Sequence, residues 1–326
     1  MAVITYREAL NQALAEEMRR DPDVFLMGEE VGVYNGAYKV SKGLLDQFGE
    51  MRVVDTPITE LGFAGLGVGA AMTGIRPVIE FMTWNFAILA FDQIFNAASK
   101  MRSMSGGQFN IPITFRGPSG AALQLGAQHS QALESQVAHY PGVKVVVPGT
   151  PSDAKGLLKA AIRDDDPVCV FEGEMLYNIK GEVPEDEDFI IPLGVADLKR
   201  EGSDVSIITH GKMIHVALQA AAQLEKDGIQ ADVLDLRSLR PLDTESILRT
   251  VVKTNRVVLL EEGWPFGGIT TTVAALIQEE AFDELDAPIL RVTQADVPMP
   301  YAKAMEKAAK PSAEMVVEKV NRVLYR

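Results

Sequence analysis

Short apolar runs recur along the chain and alternate with longer stretches of helical periodicity. Residues 5–20 place apolar and charged side chains at helical spacing, and Asp21-Pro22 ends that pattern. Val24 to Met27 then forms a strand that closes on Gly28-Glu29-Glu30. Further strands are expected at 53–55, 76–80, 111–115, 143–147 and 168–171, with helices at 86–101, 130–138 and 152–164. Strands alternating with helices predict an α/β domain around a mostly parallel sheet.

Residues 174–201 interrupt the rhythm. Glu182 to Asp188 is acidic and lacks apolar periodicity, which reads as an exposed linker. A second α/β series follows, with strands at 205–209, 231–236, 257–261 and 289–292 and helices at 213–227, 243–253, 268–280 and 312–324. The expected division is 1–190 and 191–326.

Composition narrows the function classes. The 326 residues are 47% hydrophobic and 23% charged, as in ordinary globular chains able to bury a core. A net charge of -14 disfavours nucleic acid and anionic membranes as partners, because both need clustered Lys and Arg. No stretch reads as a membrane span, and no targeting segment precedes the first helix, so a cytoplasmic location, or a chain already processed, is expected. The single cysteine, Cys169, lies in the apolar run Val168 to Phe171 and reads as core. Four scattered histidines show no metal-ligand spacing.

Candidate chemistry concentrates around Glu60. This residue stands where the strand at 53–55 gives way, through Pro57, to a helix, on the edge of a parallel sheet where ligands bind. The helix holds Gly62, Gly65, Gly67 and Gly69, each costing about 0.8–1 kcal/mol relative to Ala. Close approach of a ligand or another helix explains that cost, and so does a tight helix–sheet contact inside the domain. Glu80 to Phe86 then gathers bulky side chains in a loop, as organic cofactor pockets do. His129, beside Gln128 and Ser130, is a candidate for acid/base work. His210 and His215 flank a strand-to-helix turn and read as buried or capping groups.

Taken together, MGEEVG (27–32), GAYKVSKGL (36–44), DTPITELGFAGLGVGAAMTG (55–74), FRGPSGA (115–121), QHSQ (128–131) and DAKGLLKAAIRDDDP (153–167) resemble the β-subunit of the thiamine-diphosphate-dependent 2-oxo acid dehydrogenases. LEEGWPFGG (260–268) and DVPMPYAK (296–303) bring the chain nearest to the members acting on pyruvate. The resemblance implies a pyrimidine-binding N-terminal domain and a transketolase-type C-terminal domain. It implies that Glu60 hydrogen-bonds a pyrimidine nitrogen of thiamine diphosphate. Ile58, Met82 and Phe86 would line that ring, and His129 would assist decarboxylation or acetyl transfer to a lipoyl group. Glu29 or Glu30 would belong to an acidic path between paired sites. Potassium would be held by Ile113, Ala161, Ile162, Asp164 and Asp166; a solvated acidic cap is the other reading of that helix end.

The family's diphosphate motif, Gly-Asp-Gly with a later Asn, begins with a triplet absent from this sequence. An α-subunit is therefore expected to hold the diphosphate and Mg²⁺, in an α2β2 heterotetramer that serves a lipoyl-bearing acetyltransferase core. The rival readings are a branched-chain 2-oxo acid or acetoin dehydrogenase subunit, a silent scaffold of the same fold, and a self-sufficient transketolase-like synthase.

Overall fold

Local sequence sets the first helix. Thr5 caps α1 (Tyr6–Arg20) by accepting the Glu8 N–H, while the Glu8 carboxylate accepts the Thr5 N–H at 2.8 Å. At the other end Arg52 donates to the carbonyls of Met18 and Asp21. Glu16 and Glu17 were legible as polar positions of α1, yet both are buried. They pair with Lys155, Lys159 and Arg163 of α6 (Pro151–Arg163). Buried charges persist only when paired in this way.

The computed structural model describes residues 1–326, which form two compact units. The first comprises Met1–Ser119 and Val137–Leu193, the second Gly120–Gln136 and Gly194–Arg326. A single cut at 190 would leave residues 120–136 with the first unit, whereas their contacts lie in the second.

In the first unit, parallel strands run in the order β6 (Lys144–Val146), β7 (Val168–Gly173), β5 (Thr114–Ser119), β4 (Arg76–Glu80), β2 (Val24–Gly28) and β3 (Val53–Asp55). Their apolar runs are nearly continuous because both faces are covered. A core of Leu10, Leu14, Leu26, Val78, Leu157 and Val170 joins α1 and α6 to the sheet. Between β2 and β4 the chain runs out to β3 and back across β2, so these three strands flank a topological switch point. α2 (Leu44–Phe48) and α3 (Glu60–Met72) lie before and after β3.

Three expectations need correction. The helix predicted over 86–101 is a 3₁₀ turn (Ala87–Ala90), a π-helical stretch (Gln93–Ala98) and α4 (Ser99–Met104). Ser99 donates its hydroxyl to the Phe95 carbonyl at 2.6 Å, and Phe95 stacks on Tyr140 at 3.8 Å. The helix predicted over 130–138 is only α5 (Glu134–Ala138), preceded by a 3₁₀ turn at Ala127–His129. The interruption at 174–201 contains β8 (Lys180–Val183), paired antiparallel with β1 (Ala2–Thr5) and overlapping the expected linker at Glu182 and Val183, and β9 (Asp197–Arg200). Only Val183 of β8 is buried, so the strand leaves no apolar alternation to read.

The second unit is built on the order β14 (Leu290–Val292), β13 (Val257–Leu260), β10 (Val205–Thr209), β11 (Ala231–Asp235) and β9, parallel except for β9. A short strand β12 (Ser238–Arg240) follows β11. α7 (Met213–Lys226) and α11 (Ala313–Val323) pack with β10, β11 and β13 around Ile207, Leu224, Val233 and Val316. α8 (Thr244–Thr254), α9 (Ile269–Glu280) and α10 (Lys303–Ala309) complete it, and α10 was not predicted.

Candidate active site

The carboxyl ends of β2, β3 and β4 assemble the acidic centre of the first unit. β2 delivers Glu29, the turn after β3 delivers Glu60 as the first residue of α3, and β4 leads into Glu80 to Phe86. Close strand packing leaves no room at Gly28, where a Cβ would stand 2.4 Å from the Glu80 carbonyl. Asp55 fixes the neighbouring loop by accepting the N–H groups of Gly32 and Val33 at 2.6 and 3.0 Å.

Glu29 and Glu60 are each 4% exposed. Burial, then the neighbouring Glu60 charge and the hydrogen bond to Glu60, push the Glu29 carboxyl up to about 7. Glu29 is therefore the acid that keeps its proton toward neutrality. Oε1 of Glu29 is buried without a hydrogen-bond partner, a polar atom left for something outside the chain.

The loop after β4 divides its bulky side chains between two tasks. Phe81 and Trp84 are core: Phe81 stacks on Phe115 and contacts Phe63 of α3, and Trp84 stacks on Phe171 at 3.9 Å. The Trp84 indole N–H donates to the Val170 carbonyl at 3.0 Å. Met82 and Phe86 stay half-buried, and Ile58 is 84% exposed. Beneath the loop, fully buried Arg116 bonds Glu80 and Glu172, and Tyr177 donates to Glu172 at 2.7 Å. That cluster ties the ends of β4, β5 and β7 together. It was not foreseen, since it depends on strand order.

The glycines of α3 have separate explanations. A Cβ at Gly67 would stand 2.6 Å from Ile79 of β4, so this glycine serves helix–sheet packing. Gly65 packs on the Gln93 side chain. Gly69 meets nothing within 4 Å, and with Gly62 and Leu66 it forms an open face.

His129 is half-buried and belongs to the second unit, on the 3₁₀ turn of segment 120–136. In the same unit His210, Asp235 and Glu261 sit at the carboxyl ends of β10, β11 and β13. Burial depresses the His210 imidazole, but the hydrogen bond and charge of Glu134, with Glu261 and Asp235 beyond, hold it above its ordinary value. The expectation of a buried His210 holds; its acidic surroundings were missed.

Ile162, Asp164 and Asp166, three of the five residues read as potassium ligands, already have cationic partners. Arg76 donates to the carbonyls of Ile162 and Asp164 at 3.2 and 2.9 Å. Lys144 holds the Asp164 carboxylate at 2.7 and 2.8 Å, and Asp166 pairs with Arg102 and Lys144. The carbonyls of Ile113 and Ala161 accept backbone N–H groups. A bound cation would have to displace a guanidinium, so this set does not fit potassium as it stands. Nor does any group of three His, Cys, Asp or Glu side chains stand ready for a metal. No helix is long and apolar enough to cross a membrane.

Two parallel-sheet units, the first with an acidic pair at its switch point, define the transketolase-type thiamine proteins as a class. Models of the transketolase pyrimidine-binding domain and C-terminal domain match residues 2–180 and 194–316. A solved structure titled split-gene transketolase, inactive β4 tetramer, superposes with a TM-score of 0.80 at 25% identity, covering 99% of this chain and 98% of that one. The pyruvate dehydrogenase E1 component subunit β of Rhizobium meliloti is 54% identical, over 100% of this chain and 71% of its own. The mitochondrial subunit β of Caenorhabditis elegans is also 54% identical (99% and 93%), as is the subunit β of Rickettsia felis (99% and 98%). The chain belongs to the family of pyruvate dehydrogenase E1 β-subunits.

Proposed function

We propose that this chain is the β-subunit of a pyruvate dehydrogenase that decarboxylates pyruvate oxidatively and passes the acetyl group to a lipoyl group. The observation that carries the reading is the buried Glu29–Glu60 pair with an unpartnered Glu29 oxygen, at the strand edge from which the loop with half-buried Met82 and Phe86 also leaves. Such a site fits a flat, amino-substituted heterocycle: apolar faces for Met82, Phe86 and Ile58, and ring nitrogens for the acids.

Thiamine diphosphate, when bound, supplies the electron sink for loss of carbon dioxide. Glu60 would donate or share a proton at a pyrimidine ring nitrogen, and Glu29, its carboxyl raised by burial, would keep a proton within reach of Glu60. Burial strengthens both interactions, because water no longer screens them. His129 acts on the substrate or the acetyl acceptor as a proton donor or hydrogen-bond donor.

The diphosphate and its Mg²⁺ are assigned to an α-subunit. The open face of α3, with Leu61 and Leu66 at 49% and 66% exposure, suits contact with a second chain. An α2β2 heterotetramer, a lipoyl-bearing acetyltransferase partner and cytoplasmic residence complete the proposal. Potassium is left out of it, for the reason given by Arg76.

The test is turnover by the heterotetramer, reconstituted with its α-subunit, on pyruvate, 2-oxoisovalerate and acetoin. Pyruvate is expected to be preferred, and Glu60→Gln to assemble normally while losing about 10²–10⁴-fold in kcat. Preference for either other substrate overturns the pyruvate assignment. Normal turnover by Glu60→Gln would make the chain a scaffold.

A further inference from the structure

Segment 121–134 carries His129 but has no regular structure beyond one 3₁₀ turn and the start of α5. Leu123 is 67% exposed, and Gln124, Ala127 and Gln128 are exposed as well. A stretch so wet and irregular cannot set its own shape, so its shape must be imposed from outside.

The second unit imposes it at both ends. The Glu262 carboxylate accepts the Ala121 N–H at 2.7 Å and the Lys212 ammonium at 2.6 Å. Lys212 in turn donates to the Ala121 carbonyl, which closes a ring of three charge-assisted bonds around the backbone of one residue. Lys212 and Glu262 are about nine-tenths buried, so their bonds are little weakened by solvent. Gly120 sits against that carboxylate with φ +80°, and a Cβ there would stand 2.2 Å from Glu262 Oε2. At the far end Glu134 meets His210 Nε2 at 3.4 Å. Between the ends, the backbone N–H of Gln124 donates to Glu306 at 3.2 Å, and Gly126, with φ +76°, lies against the Tyr301 ring.

These anchors come from one place in the fold. His210 and Lys212 follow β10 and Glu262 follows β13, at the carboxyl edge around the switch point of the second sheet. In open parallel sheets that edge is where ligands bind. Here the chain's own segment 120–136 is bound there instead.

We propose that Lys212 and Glu262 are positioning residues for His129, so that the C-terminal sheet uses its ligand edge to hold an active-site segment in register. The inference rests on the role given to His129 above. Neither residue touches substrate; each acts through the backbone it fixes. Misplacement of a reacting group by about 1 Å can cost about 10²-fold in rate.

The experiment is a double-mutant cycle in the assembled heterotetramer, with Lys212→Met, His129→Ala and the double variant, read by kcat and KM for pyruvate. Lys212→Met is expected to lower kcat about 10–100-fold with KM changed less than about threefold. The double variant should be no slower than His129→Ala alone, and Lys212→Arg should recover most of the loss. Amide hydrogen exchange across 121–134 should accelerate in Lys212→Met. Multiplicative losses, an unchanged kcat in Lys212→Met, or unchanged exchange would each overturn the proposal. If Lys212→Met fails to assemble, Glu262→Gln takes its place in the same cycle. Wild-type turnover by His129→Ala would defeat the role of His129, and the exchange data alone would then decide whether Lys212 and Glu262 hold the segment.

Discussion

Buried beside Glu60, the Glu29 carboxyl holds its proton toward neutral pH, and that proton is linked to folding. The Glu29 carboxyl is raised from 4.5 to about 7 by burial first and by Glu60 second, so the folded chain holds a proton that the unfolded chain releases in that window. The stability this proton contributes is complete below about 4.5 and is lost as pH rises through about 7. Glu29→Gln cannot titrate. Its melting temperature, measured by calorimetry on cofactor-free protein, is expected to decline less between those pH values than that of the wild type. An identical decline would show that Glu29 is not the group responsible. Glu60 was legible in the sequence because a lone acid stood between a strand and a glycine-laden helix. Glu29 was less so, since two adjacent glutamates after a strand acquire meaning only once β2 lies beside β3. Arg116 and Glu172 were silent for the same reason: 56 residues separate them.

At the scale of elements, α3 separates two explanations for glycine that sequence left open. Gly67 is required by β4, whereas Gly69 faces outward. Gly67→Ala is expected to destabilise the chain by about 1–3 kcal/mol, because Ile79 and Ile113 must move. Gly69→Ala should leave the isolated chain equally or up to about 1 kcal/mol more stable, since a helical glycine is removed, while weakening association with the α-subunit. Denaturant melts and sedimentation distinguish these outcomes, and equal effects from the two substitutions would contradict the division. Regular strands and long helices were readable because their side chains repeat a period. The 3₁₀ and π turns at 87–98 were not, because their geometry answers to α3, Tyr140 and Ser99 rather than to local period. β8 was missed because an edge strand holds its place through backbone bonds to β1, which side-chain pattern does not record.

At the scale of the whole molecule, the proposed role has the chain supply acids, apolar walls and a histidine, while the chain has neither the Gly-Asp-Gly triplet nor a cluster of metal-binding side chains. A diphosphate carries charge that needs a divalent cation and clustered backbone donors. The net charge of -14 works further against unaided binding of such an anion. Sequence alone announced this deficit, because a missing motif is visible without any fold. The pinning of segment 120–136 to the second unit was hidden, since Lys212 and Glu262 lie 91 and 141 residues from Ala121.

Calorimetric titration of thiamine diphosphate with Mg²⁺, into this chain alone and into its mixture with the α-subunit, tests the division of labour most directly. No measurable heat of binding is expected for the chain alone, and a saturable site for the mixture, lost or weakened in Glu60→Gln. Tight, saturable binding by the isolated chain would contradict that division.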